Sequence, residues 1–144
     1  MAVCLRLGTL VAGAAVSVLL AGAQALAHHA FAAEFDADQP VTLKGTVAKV
    51  EWVNPHAWVY IDVIDESGNT SRWNIEMGSP NSLIRRGVTK DYLPIGVEVT
   101  VEGYRAKDGS TTANGQSVVL QNGRGLYTGS PGTGAPGGPT RTTR

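Results

Sequence analysis

The sequence predicts an all-β domain with one short helix: a five-stranded, OB-like barrel whose helix falls between strands 3 and 4. Three observations predict it. Five runs alternate apolar and polar residues with the period of two that a half-buried strand requires. Turn signals separate them: Asn54-Pro55, Asp65-Glu66-Ser67-Gly68-Asn69 and Lys107-Asp108-Gly109-Ser110. A single helix start, Ser79-Pro80, lies between the third and fourth runs. Strand, strand, strand, helix, strand, strand is the plan of a small, partly open OB barrel. Another small β-barrel or sandwich of the same strand count is the alternative.

The first strand is expected over residues 41–52. Val41, Leu43, Gly45 and Val47 share one parity, whereas Val50 and Trp52 have the other. Such a slip marks a bulge or a bend, with Gly45 the candidate for the kink. Asn54-Pro55 then turns the chain, because the residue before a proline is excluded from helical conformation. The second strand, residues 57–65, points Val59, Ile61 and Val63 one way and Trp58, Tyr60 and Asp62 the other. The third, residues 70–77, sets Trp73, Ile75 and Met77 against Arg72, Asn74 and Glu76. Ser79 caps the short helix, Leu83 and Ile84 form its buried side, and Gly87 closes it. A further turn is expected near Thr89 to Leu93. The fourth strand, residues 97–104, turns Val97, Val99 and Val101 inward. The fifth is expected over residues 116–120, extending toward Leu126 past an interruption at Asn122-Gly123.

Both ends of the chain differ in composition from this middle. Residues 1–27 read as an export signal: a basic start with Arg6, an apolar run over residues 7–23, and the small-x-small site Ala25-Leu26-Ala27. A competing cut follows Ala25. Cleavage after Ala27 leaves 117 of the 144 residues, one ordinary domain. Loss of Arg6 then leaves 11 basic and 12 acidic side chains, net −1, with none of the positive field that nucleic-acid binding demands. The only cysteine, Cys4, leaves with the signal, so thiol chemistry is excluded. Residues 28–40 form an N-terminal arm with Phe31 and Phe35 as apolar anchors and Glu34, Asp36 and Asp38 facing water. Residues 41–127 are the barrel. Residues 128–144 hold five glycines, three prolines and no large apolar side chain, so a disordered tail is expected, and its removal from about Leu126 onward should leave stability unchanged.

The chain resembles a domain-of-unknown-function family of small secreted bacterial proteins. The likeness is carried by His28-His29, Glu34-Phe35-Asp36, Gly45-Thr46-Val47, Trp52 with Asn54-Pro55-His56-Ala57-Trp58, Trp73-Asn74-Ile75-Glu76, Ser79-Pro80-Asn81, Val101-Glu102-Gly103 and Lys107-Asp108-Gly109-Ser110. It spans about residues 28–126 and leaves out the tail. It implies a secreted OB-like domain and supplies neither reaction nor substrate.

Two constellations carry chemistry. The face of strands two and three presents Trp58 and Tyr60 as stacking surfaces and Arg72, Asn74 and Glu76 as directional hydrogen-bonding groups, on the side that OB folds use for ligands. This predicts a periplasmic or secreted binding module for a small ligand or an envelope protein, using that face and the Asn-Pro-His corner. The alternative is a metal site of His28, His29 and His56. If His28 is the new N-terminus, its α-amine and imidazole form a chelate, and a nitrogen-rich set favours Cu(II). That reading requires the arm to fold back on the corner, with Phe31 and Phe35 packing on Trp52 or Trp58. No catalytic constellation stands out. Ser79 is spent as a cap, Ser82 has no neighbouring base, and a Glu76–Glu102 carboxylate pair would sit on a solvated strand face.

Overall fold

The structure, a computed structural model, describes residues 31–130 and 135–136. The expected export signal, His28 and His29 lie outside the described residues. Residues 31–34 are helical. Then follow β1 (Phe35–Glu51), β2 (Trp58–Ile64), β3 (Thr70–Glu76), α1 (Pro80–Arg85), a 3-10 turn (Lys90–Tyr92), β4 (Glu98–Ala106), β5 (Thr112–Leu120) and β6 (Gly125–Tyr127). The sheet order is β3-β2-β1-β4-β5-β6, and a parallel β3–β5 pairing closes the five long strands into a ring. The fold is all-β with a short helix between β3 and β4, as the alternation pattern implies. The segment around Leu126 is a separate short strand paired with β5, because Gly123 turns the chain with a φ of +79°.

The core lies inside the ring. Val47, Val59, Ile61, Ile75, Val99, Val101 and Val118 fill it, and Leu83 of α1 and Leu126 of β6 plug it. β1 is long enough to serve both sides of the ring, pairing with β2 and with β4. Its parity slip is a bulge at Ala48: Val47 opposes Ile61, and the next paired residue is Lys49, opposite Tyr60. The extra residue returns Val50 to the core side. Gly45 is not the kink. A Cβ there would meet the Asp62 carbonyl oxygen at 2.7 Å, so glycine is needed for close approach of β1 and β2.

Three expectations are corrected. β1 begins at Phe35 rather than Val41, so half of the expected arm is strand. β5 begins at Thr112 rather than Gln116, which places Asn114 on a strand inside the ring. The tail does not start at Thr128. Thr128 and Gly129 are buried: Thr128 donates its N–H to the Gln116 carbonyl at 2.9 Å and its hydroxyl to the Gly115 carbonyl at 3.0 Å. The Thr128 carbonyl accepts from Gly78 N–H at 2.7 Å. Further on, Ala135 packs against the cluster of Phe31, Phe35 and Ala106.

α1 starts as its sequence dictates. Ser79 is extended at the N-cap, its hydroxyl accepts from Ser82 N–H, and Pro80 takes the first turn. Gly87, with a φ of +76°, ends it. Among the described residues no helix is long and apolar enough to cross a membrane.

Candidate functional site

The expected face of β2 and β3 is real in register. Trp58 opposes Glu76, Tyr60 opposes Asn74, and Asp62 opposes Arg72. The three pairs nonetheless sit in different surroundings. Arg72 clasps Asp62 through two hydrogen bonds, Nε–Oδ1 at 2.8 Å and Nη2–Oδ2 at 2.9 Å, which hold the Asp62 carboxyl below its ordinary range. The Tyr60 hydroxyl donates to Glu51 at 2.8 Å, and this bond pushes the phenol up. Arg72 and Tyr60 are thus already engaged within the protein. Asn74 is half-buried, and its N–H donates to the Thr111 carbonyl.

Glu76 is different. It ends β3 at the seam of the ring, flanked by Trp58 on β2 and Asn114 on β5. It is 5% exposed, not part of the solvated face that the alternation suggests. Its Oε1 lies 2.9 Å from His56 Nδ1 and accepts from Asn114 Nδ2 at 3.4 Å. Asn114 Oδ1 in turn accepts from Gln116 Nε2. Burial pushes the Glu76 carboxyl up to about 7, the negative charge of Glu34 adds to the shift, and the Asn114 hydrogen bond opposes it. Glu76 Oε1 and His56 Nδ1 thus stand within hydrogen-bonding distance at the cavity wall. Glu102 is no partner: it accepts from Ser117 Oγ at 2.8 Å, across the β4–β5 ladder.

These groups open into a cavity of about 270 Å³, lined by Phe31, Glu34, Phe35, Pro55, His56, Trp58, Glu76 and Asn114. The corner supplies one wall: the Asn54–Pro55 peptide is cis, and His56 follows it directly into β2. The arm supplies the opposite wall. Phe31 and Phe35 do fold back, but their anchors are Tyr104 and Ala106. The Phe31 ring sits edge-on to Tyr104 at 5.6 Å and 5.7 Å from Phe35. Trp52 instead packs against the main core, which leaves Trp58 as the tryptophan of the cavity. A second hollow of about 480 Å³ adjoins the first, sharing Glu34, Phe35 and Trp58.

Of the expected ligand-binding residues, Trp58 and Glu76 line the cavity, while Tyr60, Arg72 and Asn74 do not. Of the expected metal ligands, His56 lines it. Among the described residues no group of three His, Cys, Asp or Glu side chains stands close enough to hold a metal ion. Glu34, Asn114 and Gln116 are site residues that the sequence reading missed. Asn114 and Gln116 carried one signal, two amides spaced by two and so on one face of a strand, but the expected fifth strand starts only at Gln116.

Residues 15–116 match a family described as of unknown function, DUF6152. The chain belongs to that family. The match takes in the arm, β1 to β4 and the first half of β5, hence every residue lining the cavity. Neither a curated protein nor a solved structure matches the chain. For this DUF6152 member, function must therefore be argued from the cavity itself.

Proposed function

We propose that this chain is an exported binding module of the bacterial envelope, and that its ligand occupies the cavity beneath the Asn54–Trp58 corner. The observation that carries this reading is Glu76. A carboxyl buried at a cavity wall costs stability, and folds tend to retain such groups where a site uses them. The cavity also joins apolar walls to a few convergent polar groups, the usual composition of a small-molecule site. Its volume favours a small ligand over a protein surface. The near-neutral charge of the mature chain argues against nucleic acid.

A fragment screen read by backbone and indole NMR shifts tests this. Hits should shift the Trp58 indole together with Phe31 and His56. Trp58→Ala should abolish them and Tyr60→Ala should not. If Trp58→Ala fails to fold, Trp58→Phe replaces it and should weaken the same hits. Hits that map to Tyr60 and Arg72, or none that reach the cavity, would overturn the reading.

One observation favours a second reading, copper binding. The Glu76 contact at His56 Nδ1 leaves Nε2 as the free nitrogen, the arrangement in which a carboxylate orients a metal-bound imidazole. Phe31 lies in the cavity wall, and His29 and His28 are two and three residues before it, a reach of about 7–11 Å of extended chain. Cu(II) titration of exported protein decides the matter. This reading predicts one-to-one binding by a chain beginning at His28, lost in His28→Ala, in His56→Ala and after blocking the N-terminus. Unchanged affinity in those variants would exclude it.

A further inference from the structure

We propose that the cavity recognises a small organic ammonium ion. The inference rests on the reading that the cavity is the binding site, and goes on to name its ligand class. Three features converge. First, its walls include three aromatic side chains, Phe31, Phe35 and Trp58, and ring faces attract a cation that has shed its water. Second, two carboxylates share the lining, Glu76 within and exposed Glu34 at the mouth, and Glu34 acts on Glu76 as a like charge. Third, among the described residues no lysine or arginine side chain lines the cavity. An anion would meet two negative groups, whereas a neutral ligand would leave their repulsion in place. An ammonium head group offsets it and fills the aromatic walls.

The cations nearby are committed elsewhere. Lys107 lines the adjoining hollow, but its ammonium donates to the Ala32 carbonyl. Arg105 is held on the Gly109 and Ser110 carbonyls and lies over the Trp73 ring. His56 faces Glu76 through Nδ1 and, among the described lining residues, is the one that can itself carry positive charge. At about 270 Å³ the cavity lies just below the range of about 300–1,000 Å³ usual for ligand pockets. It suits a head group, and the adjoining hollow leaves room for a substituent along Glu34 and Trp58.

The test compares choline with 3,3-dimethylbutan-1-ol, its uncharged isostere, by NMR titration of the full mature chain at pH 8 with chelator present. Choline should bind about tenfold more tightly than the alcohol and shift the Trp58 indole and Phe31. Glu34→Gln should weaken choline several-fold and leave the alcohol unchanged, with Asp62→Asn as the charge control that alters neither. Equal binding of the two compounds would overturn the ammonium assignment while leaving the cavity as the binding site. No cavity shift from either compound overturns the assignment too, and fragment hits that also miss the cavity remove the binding reading with it.

Discussion

The β2–β3 ladder has two ends, and each carries an acidic side chain of a cross-strand pair. At the hairpin end, Asp62 faces water and is clasped by Arg72. At the seam end, Glu76 is buried, has no arginine or lysine ion pair among the described residues, and lies 2.9 Å from His56 Nδ1. The two carboxyls are displaced in opposite directions, Asp62 downward by its cation and Glu76 upward by burial and Glu34. The hairpin end is a solved electrostatic problem, and a surface pair of that kind adds little to stability. The seam end retains a buried carboxyl beside a cavity. The contrast teaches that chemical potential on this face is set by position along the ladder, not by residue type.

The largest expected effect tests what holds the seam end in place. Stopping the chain after Tyr127 removes the buried Thr128 and its bonds to Gly115, Gln116 and Gly78. Gln116 in turn bonds Asn114, which bonds Glu76. The truncation should cost about 2–4 kcal/mol in urea unfolding, since each lost buried hydrogen bond is worth about 1 kcal/mol. The hairpin end has no such dependence. A chain stopped after Ser130 should keep nearly full stability.

Glu76→Gln comes next. The folded carboxyl titrates above its unfolded value, so its contribution is fully present below about pH 4.5 and is lost as pH rises through about 7. The wild type should therefore lose stability between pH 4.5 and 7, and Glu76→Gln should flatten that slope. At pH 8 the variant should be the more stable, by about 1–3 kcal/mol at roughly 1.4 kcal/mol per pKa unit, less what cavity water screens. Chemical unfolding across the pH range, with chelator present, measures both. A variant less stable than wild type at pH 8 would mean that the His56 contact outweighs the burial of charge.

Asp62→Asn is the smallest effect and has the opposite sign. The Asp62 carboxyl is displaced downward, so its contribution is present above its ordinary value and lost as pH falls through the folded one. The variant should be slightly less stable than wild type at pH 7 and equal to it in strong acid, read by melting temperature at low and high salt. High salt should shrink the difference, because the pair is exposed.

Much of this architecture was legible in the sequence. Alternation placed β2, β3 and β4 and their inward residues, Ser79-Pro80 placed α1, and the parity slip in β1 announced its bulge. The site was less legible, for physical reasons. Alternation assigns Glu76 to the outer face of β3, and it is indeed on that side. What buries it is the parallel β3–β5 seam, a contact between residues 38 apart in the chain. The expected fifth strand starts only at Gln116 because Ala-Asn-Gly before it has poor strand propensity. Gly115 pairs with Gly103, where any Cβ would meet the Asn114 carbonyl oxygen at 2.1 Å, so close packing overrides propensity there. Thr128 and Gly129 were misread for the opposite reason. Composition counts apolar side chains, but these residues are held by hydrogen bonds of their backbone groups and of the Thr128 hydroxyl.

The most direct test is a carbon-detected NMR titration of the side-chain carboxyls of Glu76 and Asp62 in one sample, with chelator present. Glu76 should titrate near pH 7 and Asp62 below its ordinary 3.8. Two midpoints near the ordinary values would contradict it, leaving the seam end of the ladder as solvated as the hairpin end.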